Sequence, residues 1–301
     1  MFKIVVTQNL ELSSKQVKRL KSLGEVTLYN DLPSSYEEWM ERCKDADIIC
    51  TGKFGFMQKV YEMKDKFFSL PFVNVKWLDK EKLKDQKITA AYTPGGNKEA
   101  VTEWVMGMLL ILFRKFPQFI GAKEQASVEI LEVMPGLAGK KAAILGKGHI
   151  GKAVGKACKL FKMKVRYFQR GDNLLKQVKN AEVIINCLST NEETIGLLNK
   201  EFFEALKKGA YFITFTDQRI CNDEELIKAL DNGTLTGAAH DAGSAQVGDT
   251  NDLLYTKLLN HPKLLATPHV AFNTEYATRK VNEMMIDNVE AWIKGKPINL
   301  I

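Results

Sequence analysis

Four short stretches carry residue types at spacings that chemistry can use. In "AAILGKGHIGKAVGKACKLF" an apolar strand runs into Gly146, Lys147, Gly148, His149, Ile150 and Gly151, and a helix leaves the turn. Glycines at GxGxxG spacing between a strand and a helix suit a dinucleotide: Gly146 permits the tight turn, Gly148 lets a pyrophosphate approach the backbone, and Gly151 lets the helix pack against the strand. The free N–H groups of the helix N-terminus then face the phosphates. The next strand, "KVRYFQR", ends on Gln169 and Arg170. An acidic residue at that place accepts from the ribose 2′-hydroxyl and selects NAD, whereas an amide followed by a guanidinium favours the 2′-phosphate of NADP. In "TPHVAF", His269 stands at the C-terminal end of a strand behind Pro268, at the edge where such sheets bind ligands. Last, "YFITFTDQR" is an apolar strand that stops on the carboxylate of Asp217. The other histidines are weaker candidates: His149 lies in the glycine turn, and His240 and His261 have no motif of their own.

These stretches need a scaffold that brings strand ends together, and the rest of the chain reads as one. Residues 1–94 alternate strand-like and helix-like pieces: "FKIVVT", "SSKQVKRLKSLG" capped by Ser13 or Ser14, "EVTLYN", "SYEEWMERCKDA", "DIICTG", "FVNV" and "KITAAYT". Such alternation predicts a mostly parallel sheet covered by helices. Pro94-Gly95-Gly96-Asn97 breaks the chain before a long helix, roughly Lys98 to Phe116, closed by Pro117 and apolar on most of its circumference. Burial on several sides is expected for it, at a domain junction or a dimer interface. The alternation then restarts, with strands "AEVIINCLS", "AYFITFT", "LTGAAHDA" and "LLATPHV", and the tail "EYATRKVNEMMIDNVEAWIKGKP" reads as one amphipathic helix returning to the first domain.

With 301 residues, 45% of them hydrophobic and 26% charged, the chain is long enough to bury a large core in two α/β domains. The net charge of +7, from 43 basic and 36 acidic residues, is spread along helical segments rather than gathered into a nucleic-acid footprint. The run "WVMGMLLILF" is too short to span a bilayer, and no signal peptide is read before the first strand, so a cytoplasmic protein is expected. Five cysteines, none in CxxC spacing, read as reduced core thiols rather than metal ligands, and no metal is expected.

The order and spacing of "GLAGKKAAILGKGHIG" through "TPHVAFNTEYATRKVNEMMIDNVEAW" resemble the D-isomer-specific 2-hydroxyacid dehydrogenases, a family that includes glyoxylate/hydroxypyruvate reductases, phosphoglycerate dehydrogenases and formate dehydrogenases. The resemblance implies a flavodoxin-like substrate domain made from residues 1–94 and 273–301. Inserted between those two pieces is a Rossmann domain, residues 95–272, a doubly wound parallel sheet. It implies a homodimer through the region of helix 98–116, a small-molecule substrate, and NADP as cofactor with NAD possible. Cofactor contacts fall on Gly146, Gly148, His149, Ile150, Gly151, Gln169, Arg170, Cys187, Leu188, Thr194, Phe215, Thr216, Asp217, Asp241 and His269.

The family's catalytic histidine falls on His269. Its substrate-holding arginine falls on Asp217, and the glutamate that supports the histidine falls on Gln246. The segment "LPFVNVKWLDKEKLKDQKI" is shorter than its counterpart and lacks the glycine-containing loop whose N–H groups help to hold a carboxylate. Arginine to aspartate with glutamate to glutamine leaves the site one unit more negative. At ~4 Å and an effective dielectric of about 20, a charge pair is worth on the order of 4 kcal/mol, and reversal of sign approaches twice that. A simple 2-keto acid is therefore expected to bind badly. The leading reading is an oxidoreductase acting on a non-standard carbonyl or imine, with His269 as acid and Asp217 and Gln246 in the altered catalytic set. The alternative is an inactive nucleotide-binding pseudo-dehydrogenase serving as a sensor or interaction protein. A third reading keeps ordinary hydroxyacid chemistry and uses Arg219 in place of the missing arginine.

Overall fold

The computed structural model describes residues 1–116, 133–242 and 247–301. The chain divides into two compact units, Met1–Asn97 with Asn273–Ile301, and Lys98–Phe272.

The first unit holds a five-stranded, wholly parallel sheet in the order β2-β1-β3-β4-β5: β1 Lys3–Val6, β2 Glu25–Leu28, β3 Ile48–Cys50, β4 Phe67–Ser69 and β5 Thr89–Ala91. This is the flavodoxin-like strand order. Side chains alternate across the sheet, as strand geometry requires. Val5, Ile49, Phe68 and Ala90 pack with Trp39 and Phe56 on one face, and Ile4, Val6, Ile48 and Phe67 pack with Met285, Ile286 and Val289 on the other. Those last three residues belong to the helix Glu275–Ile293, which Thr274 caps by accepting from the Ala277 N–H. The first helix, Ser14–Lys21, begins with a capping box between Ser13 and Gln16. One expected strand is displaced: "FVNV" is irregular, and the strand is the preceding "FFS" at Phe67–Ser69. Pro71 ends the ladder, and Phe72 and Val75 enter the core from a loop instead.

The second unit holds six parallel strands in the order β11-β10-β9-β8-β6-β7: β6 Lys141–Leu145, β7 Lys164–Phe168, β8 Val183–Asn186, β9 Ala210–Thr214, β10 Leu235–Ala242 and β11 Leu264–Pro268. Chain order reverses between β6 and β8, which opens a crevice at the C-terminal edge of the sheet. Ala142 and Ile144 face one core with Val105, Leu109 and Phe113 of the helix Lys98–Phe113, while Ala143 and Leu145 face the other with Phe202 and Phe212. The long helix ends three residues earlier than its sequence suggests, because Lys115 adopts a left-handed backbone, φ 51°. All five cysteines are free, and burial pushes the Cys43, Cys50 and Cys158 thiols up to about 12. Among the described residues no helix is long and apolar enough to cross a membrane, and no His/Cys/carboxylate cluster suits a metal.

Candidate active site at the C-terminal edge of the six-stranded sheet

The six strands of the second unit are parallel, so their C-terminal ends share one edge, and the described candidates gather there. The glycine turn follows β6. Gly146 has φ 98°, and a Cβ on it would meet the Cys187 carbonyl oxygen at 2.7 Å. A Cβ on Gly151 would meet the Gly146 carbonyl oxygen at 2.1 Å. Both positions therefore require glycine for internal reasons. Gly148 differs: a Cβ there meets nothing within 4 Å, so its missing side chain opens space instead of relieving a clash. Gly148 is also the N-cap of the helix His149–Leu160 and offers no side chain to the first-turn N–H groups. An open approach to uncapped N–H groups, flanked by the exposed Lys147 and His149, fits a pyrophosphate. Gly155 lets the same helix lie against β7, where a Cβ would strike the Tyr167 hydroxyl at 2.0 Å.

At the end of β7, Gln169 and Arg170 are exposed, and Asp172 closes the turn by accepting from the Gln169 N–H at 2.9 Å. Arg170 is paired: its Nε donates to Glu193 Oε2 at 2.8 Å, and its Nη2 lies 2.7 Å from the same oxygen. Glu193 lies in the connection after β8, where Cys187 and Leu188 line the edge. Thr194 is buried here, with its hydroxyl donating to the Ser189 and Asn191 carbonyls at 2.9 and 3.1 Å and accepting from the Asn191 N–H. Its side chain braces its own loop.

Asn186, which the sequence reading passed over, ties β8 to β9. It is fully buried, donates to Thr214 and Thr216 hydroxyls at 3.1 and 2.7 Å, and accepts from the Leu188 N–H. It thereby holds the Leu188 backbone and the Thr216 side chain, two candidate positions, beside Phe215, which stands edge-on to Trp104. The available signal was a polar residue closing the apolar run "VIIN".

The turn after β9 corrects the expected electrostatics. Arg219 grips Asp217 with two parallel bonds, Nε to Oδ1 at 2.9 Å and Nη2 to Oδ2 at 2.6 Å, and its backbone N–H adds a third at 3.0 Å. Thr190 bonds to the same carboxylate, and the guanidinium bonds hold the Asp217 carboxyl below its ordinary range. Asp217 is thus a neutralised partner rather than a bare negative charge. Repulsion of the size expected from sequence is absent, and what remains is the lack of a free guanidinium. Arg219 is equally committed and does not stand open to a substrate.

Asp241 and His269 complete the edge. Asp241 is 5% exposed, and its carboxylate accepts from the Thr267 hydroxyl at 2.6 Å and from the Val270 and Ala271 N–H groups at 2.8 Å each. Trp104 Nε1 donates to the same Thr267 hydroxyl at 3.2 Å. This clasp spans His269, whose backbone sits in the left-handed region, φ 54°, with its ring edge-on to Phe272 at 5.4 Å. A non-glycine residue held there by surrounding bonds is a strained, well-determined position of the kind that concentrates in active sites. Gln246 lies outside the described residues.

Comparison with known proteins agrees with this geometry. The family model described as D-isomer specific 2-hydroxyacid dehydrogenase, NAD binding domain, matches residues 106–271. The D-lactate dehydrogenase of Staphylococcus aureus is 26% identical over 293 residues, covering 87% of each chain. The D-3-phosphoglycerate dehydrogenase of Bacillus subtilis is 28% identical over 240 residues, 75% of this chain but only 45% of that longer protein. Among solved structures, an acyclic imino acid reductase in complex with NADPH and D-Arg superposes with a TM-score of 0.84 at 21% identity over 99% of both chains, a likeness of fold. With the glycine turn, the switch-point crevice and His269 on one edge, and the matched segment spanning more than half its length, the chain belongs to the D-isomer specific 2-hydroxyacid dehydrogenase family of nicotinamide-dependent oxidoreductases.

Proposed function

We propose that the protein reduces a carbonyl or imine carbon in a small molecule other than a simple 2-keto acid, preferring NADP(H) to NAD(H), with His269 as general acid. The observation that carries this reading is the closed Asp217–Arg219 pair at the position where the family resemblance calls for a free arginine. A keto acid finds no uncommitted guanidinium there, whereas a neutral or amine-bearing substrate does not depend on one. The fold is shared with a reductase of acyclic imino acids, so reduction at C=N lies within the reach of this architecture.

When bound, the nicotinamide supplies hydride to the substrate carbon. The chain's own contribution is positioning and proton transfer. The helix His149–Leu160 and the turn before it hold the pyrophosphate, and Gln169 with Arg170 meets the adenosine ribose and favours a 2′-phosphate. Asn186 holds the Leu188 backbone and the Thr216 hydroxyl. Asp241 fixes the segment that carries His269, and the imidazolium gives its proton to the oxygen or nitrogen that gains charge as the carbon is reduced. Two copies associate through the helix Lys98–Phe113, where Met108, Leu110 and Ile111 stay only half-buried.

The test follows the nicotinamide absorbance of NADPH and NADH with three substrate sets: glyoxylate, hydroxypyruvate and pyruvate; the same acids with ammonia or alkylamines; and neutral aldehydes and ketones. Turnover is expected in the second or third set and near background in the first. Vigorous reduction of the free keto acids would overturn the substrate reading and restore ordinary hydroxyacid chemistry.

A further inference from the structure

We infer that Glu193 is an internal stand-in for the cofactor's 2′-phosphate, occupying Arg170 in the cofactor-free protein and setting how strongly the site discriminates NADP from NAD. The inference rests on the NADP(H) reading proposed above and adds to it a residue from a different loop. Arg170 offers its Nε/Nη2 edge, the edge that binds phosphates and carboxylates, and Glu193 Oε2 accepts from Nε at 2.8 Å and lies 2.7 Å from Nη2 as an ion pair. The other acidic group of the turn, Asp172, is held on the Gln169 N–H and closes the turn on itself.

The loop that presents Glu193 is braced at its backbone. Glu193 N–H donates to Asn191 Oδ1 at 3.0 Å, Asn191 Nδ2 donates to the Ser189 carbonyl, and the buried Thr194 ties the same carbonyl to Asn191. The Glu193 backbone is therefore fixed, and only its side chain is left to swing. The side chains of Arg170 and Glu193 are 79% and 62% exposed, so water and salt screen their attraction and separating them costs little. A phosphate brings more acceptor oxygens and about two negative charges to the same edge. It wins the exchange, but against a tethered competitor that a ligand without the phosphate does not face. The sequence hides this competition, because Glu193 stands 23 residues beyond Arg170.

The test uses adenosine 2′,5′-bisphosphate and 5′-AMP, which differ only in the 2′-phosphate, titrated calorimetrically into the full chain. Glu193→Gln is expected to tighten the bisphosphate about threefold to tenfold and to leave 5′-AMP within about twofold. In an Arg170→Ala background the gain is expected to vanish, since the competition is for that guanidinium. An equal gain for both ligands, no gain for the bisphosphate, or a gain that survives without Arg170 would each overturn the inference. A weakened 5′-AMP with an unmoved bisphosphate would overturn it too, and would make Glu193 a reader of the ribose hydroxyl. NADPH and NADH affinities of the wild-type chain separate the two claims. A wild-type preference for NADH with the bisphosphate gain intact removes the NADP(H) reading and leaves the competition standing. A preference for NADPH with no response to Glu193→Gln does the reverse.

Discussion

The two ends of the crevice in the six-stranded unit are built from different materials. The proposed phosphate end is made of backbone: Gly146, Gly148 and Gly151 shape it by lacking side chains, and what it exposes are N–H groups at the helix start. The reactive end is made of side chains in partnership, with Asp217 closed by Arg219 and His269 held in place through Asp241. A backbone site is set by which residues fit, so a single substitution breaks it outright. A side-chain site is set by pairing, so a single substitution changes what it prefers.

The sharpest way to break this contrast is at Gly151. Valine there would put a branched side chain where even a Cβ lies 2.1 Å from the Gly146 carbonyl, so cofactor affinity should fall more than about a hundredfold, with a lowered melting temperature. Gly148→Ala should keep the melting temperature, because nothing crowds its Cβ, and still weaken NADPH about tenfold by filling the approach to the phosphates. Fluorescence titration with thermal melts separates the two, and equal stability losses would show that Gly148 is structural after all.

At the other end, His269→Gln should lower turnover by roughly a hundredfold, the usual worth of a positioned acid, while cofactor affinity stays within about twofold. Steady-state rates beside a cofactor titration check it, and parallel losses in both would mark His269 as part of the nucleotide pocket instead. Asp217→Asn should weaken the hold on Arg219 and release a guanidinium toward substrate carboxylates. Its kcat/KM on glyoxylate or pyruvate should rise about tenfold, whereas unchanged selectivity would sever Asp217 from substrate choice.

A last effect, on stability and not on activity, compares Asp217 with Asp223, six positions on. Asp223 Oδ1 is buried without a hydrogen-bond partner, 3.8 Å from an equally unpartnered His240 Nδ1. Burial raises the Asp223 carboxyl to about 6 and lowers His240 to about 4. A raised acid favours the folded state at low pH, and that contribution is lost as pH climbs through about 6. The buried histidine works in the opposite sense, losing stability as pH falls from its ordinary range toward about 4. Asp223→Asn should therefore stabilise the protein by about 2 kcal/mol at pH ~8 and by almost nothing near pH ~4, after allowing for the lost carboxylate at a helix start. Urea melts at both pH values test this, and a gain that does not change with pH would mean that Asp223 titrates in the fold as it does in the unfolded chain.

What the sequence made legible follows the same division of materials. The alternation of elements, the glycine turn and the strand that delivers His269 are local patterns, and each appears in the structure where its residues stand. The strand at Phe67–Ser69 was misplaced because "FVNV" alternates equally well, and only Pro71, which stops the ladder, separates them. The state of Asp217 was not legible. Its charge was plain, yet the partner two residues on could be recognised only once the turn had brought the guanidinium back onto the carboxylate. Glu193 and Asn186 were missed for the same reason, since their roles arise from loops that meet at a shared sheet edge.

The left-handed backbone at His269 also narrows how the protein can drift. Of the residues one base change from a histidine codon, asparagine and aspartate tolerate that conformation best, while leucine strains it and proline cannot adopt it. Neither asparagine nor neutral-pH aspartate is a general acid. If His269 is the acid proposed above, the substitutions that preserve the turn are those that silence the chemistry, and the shortest evolutionary path away from catalysis ends in a chain that keeps its fold and its glycine turn.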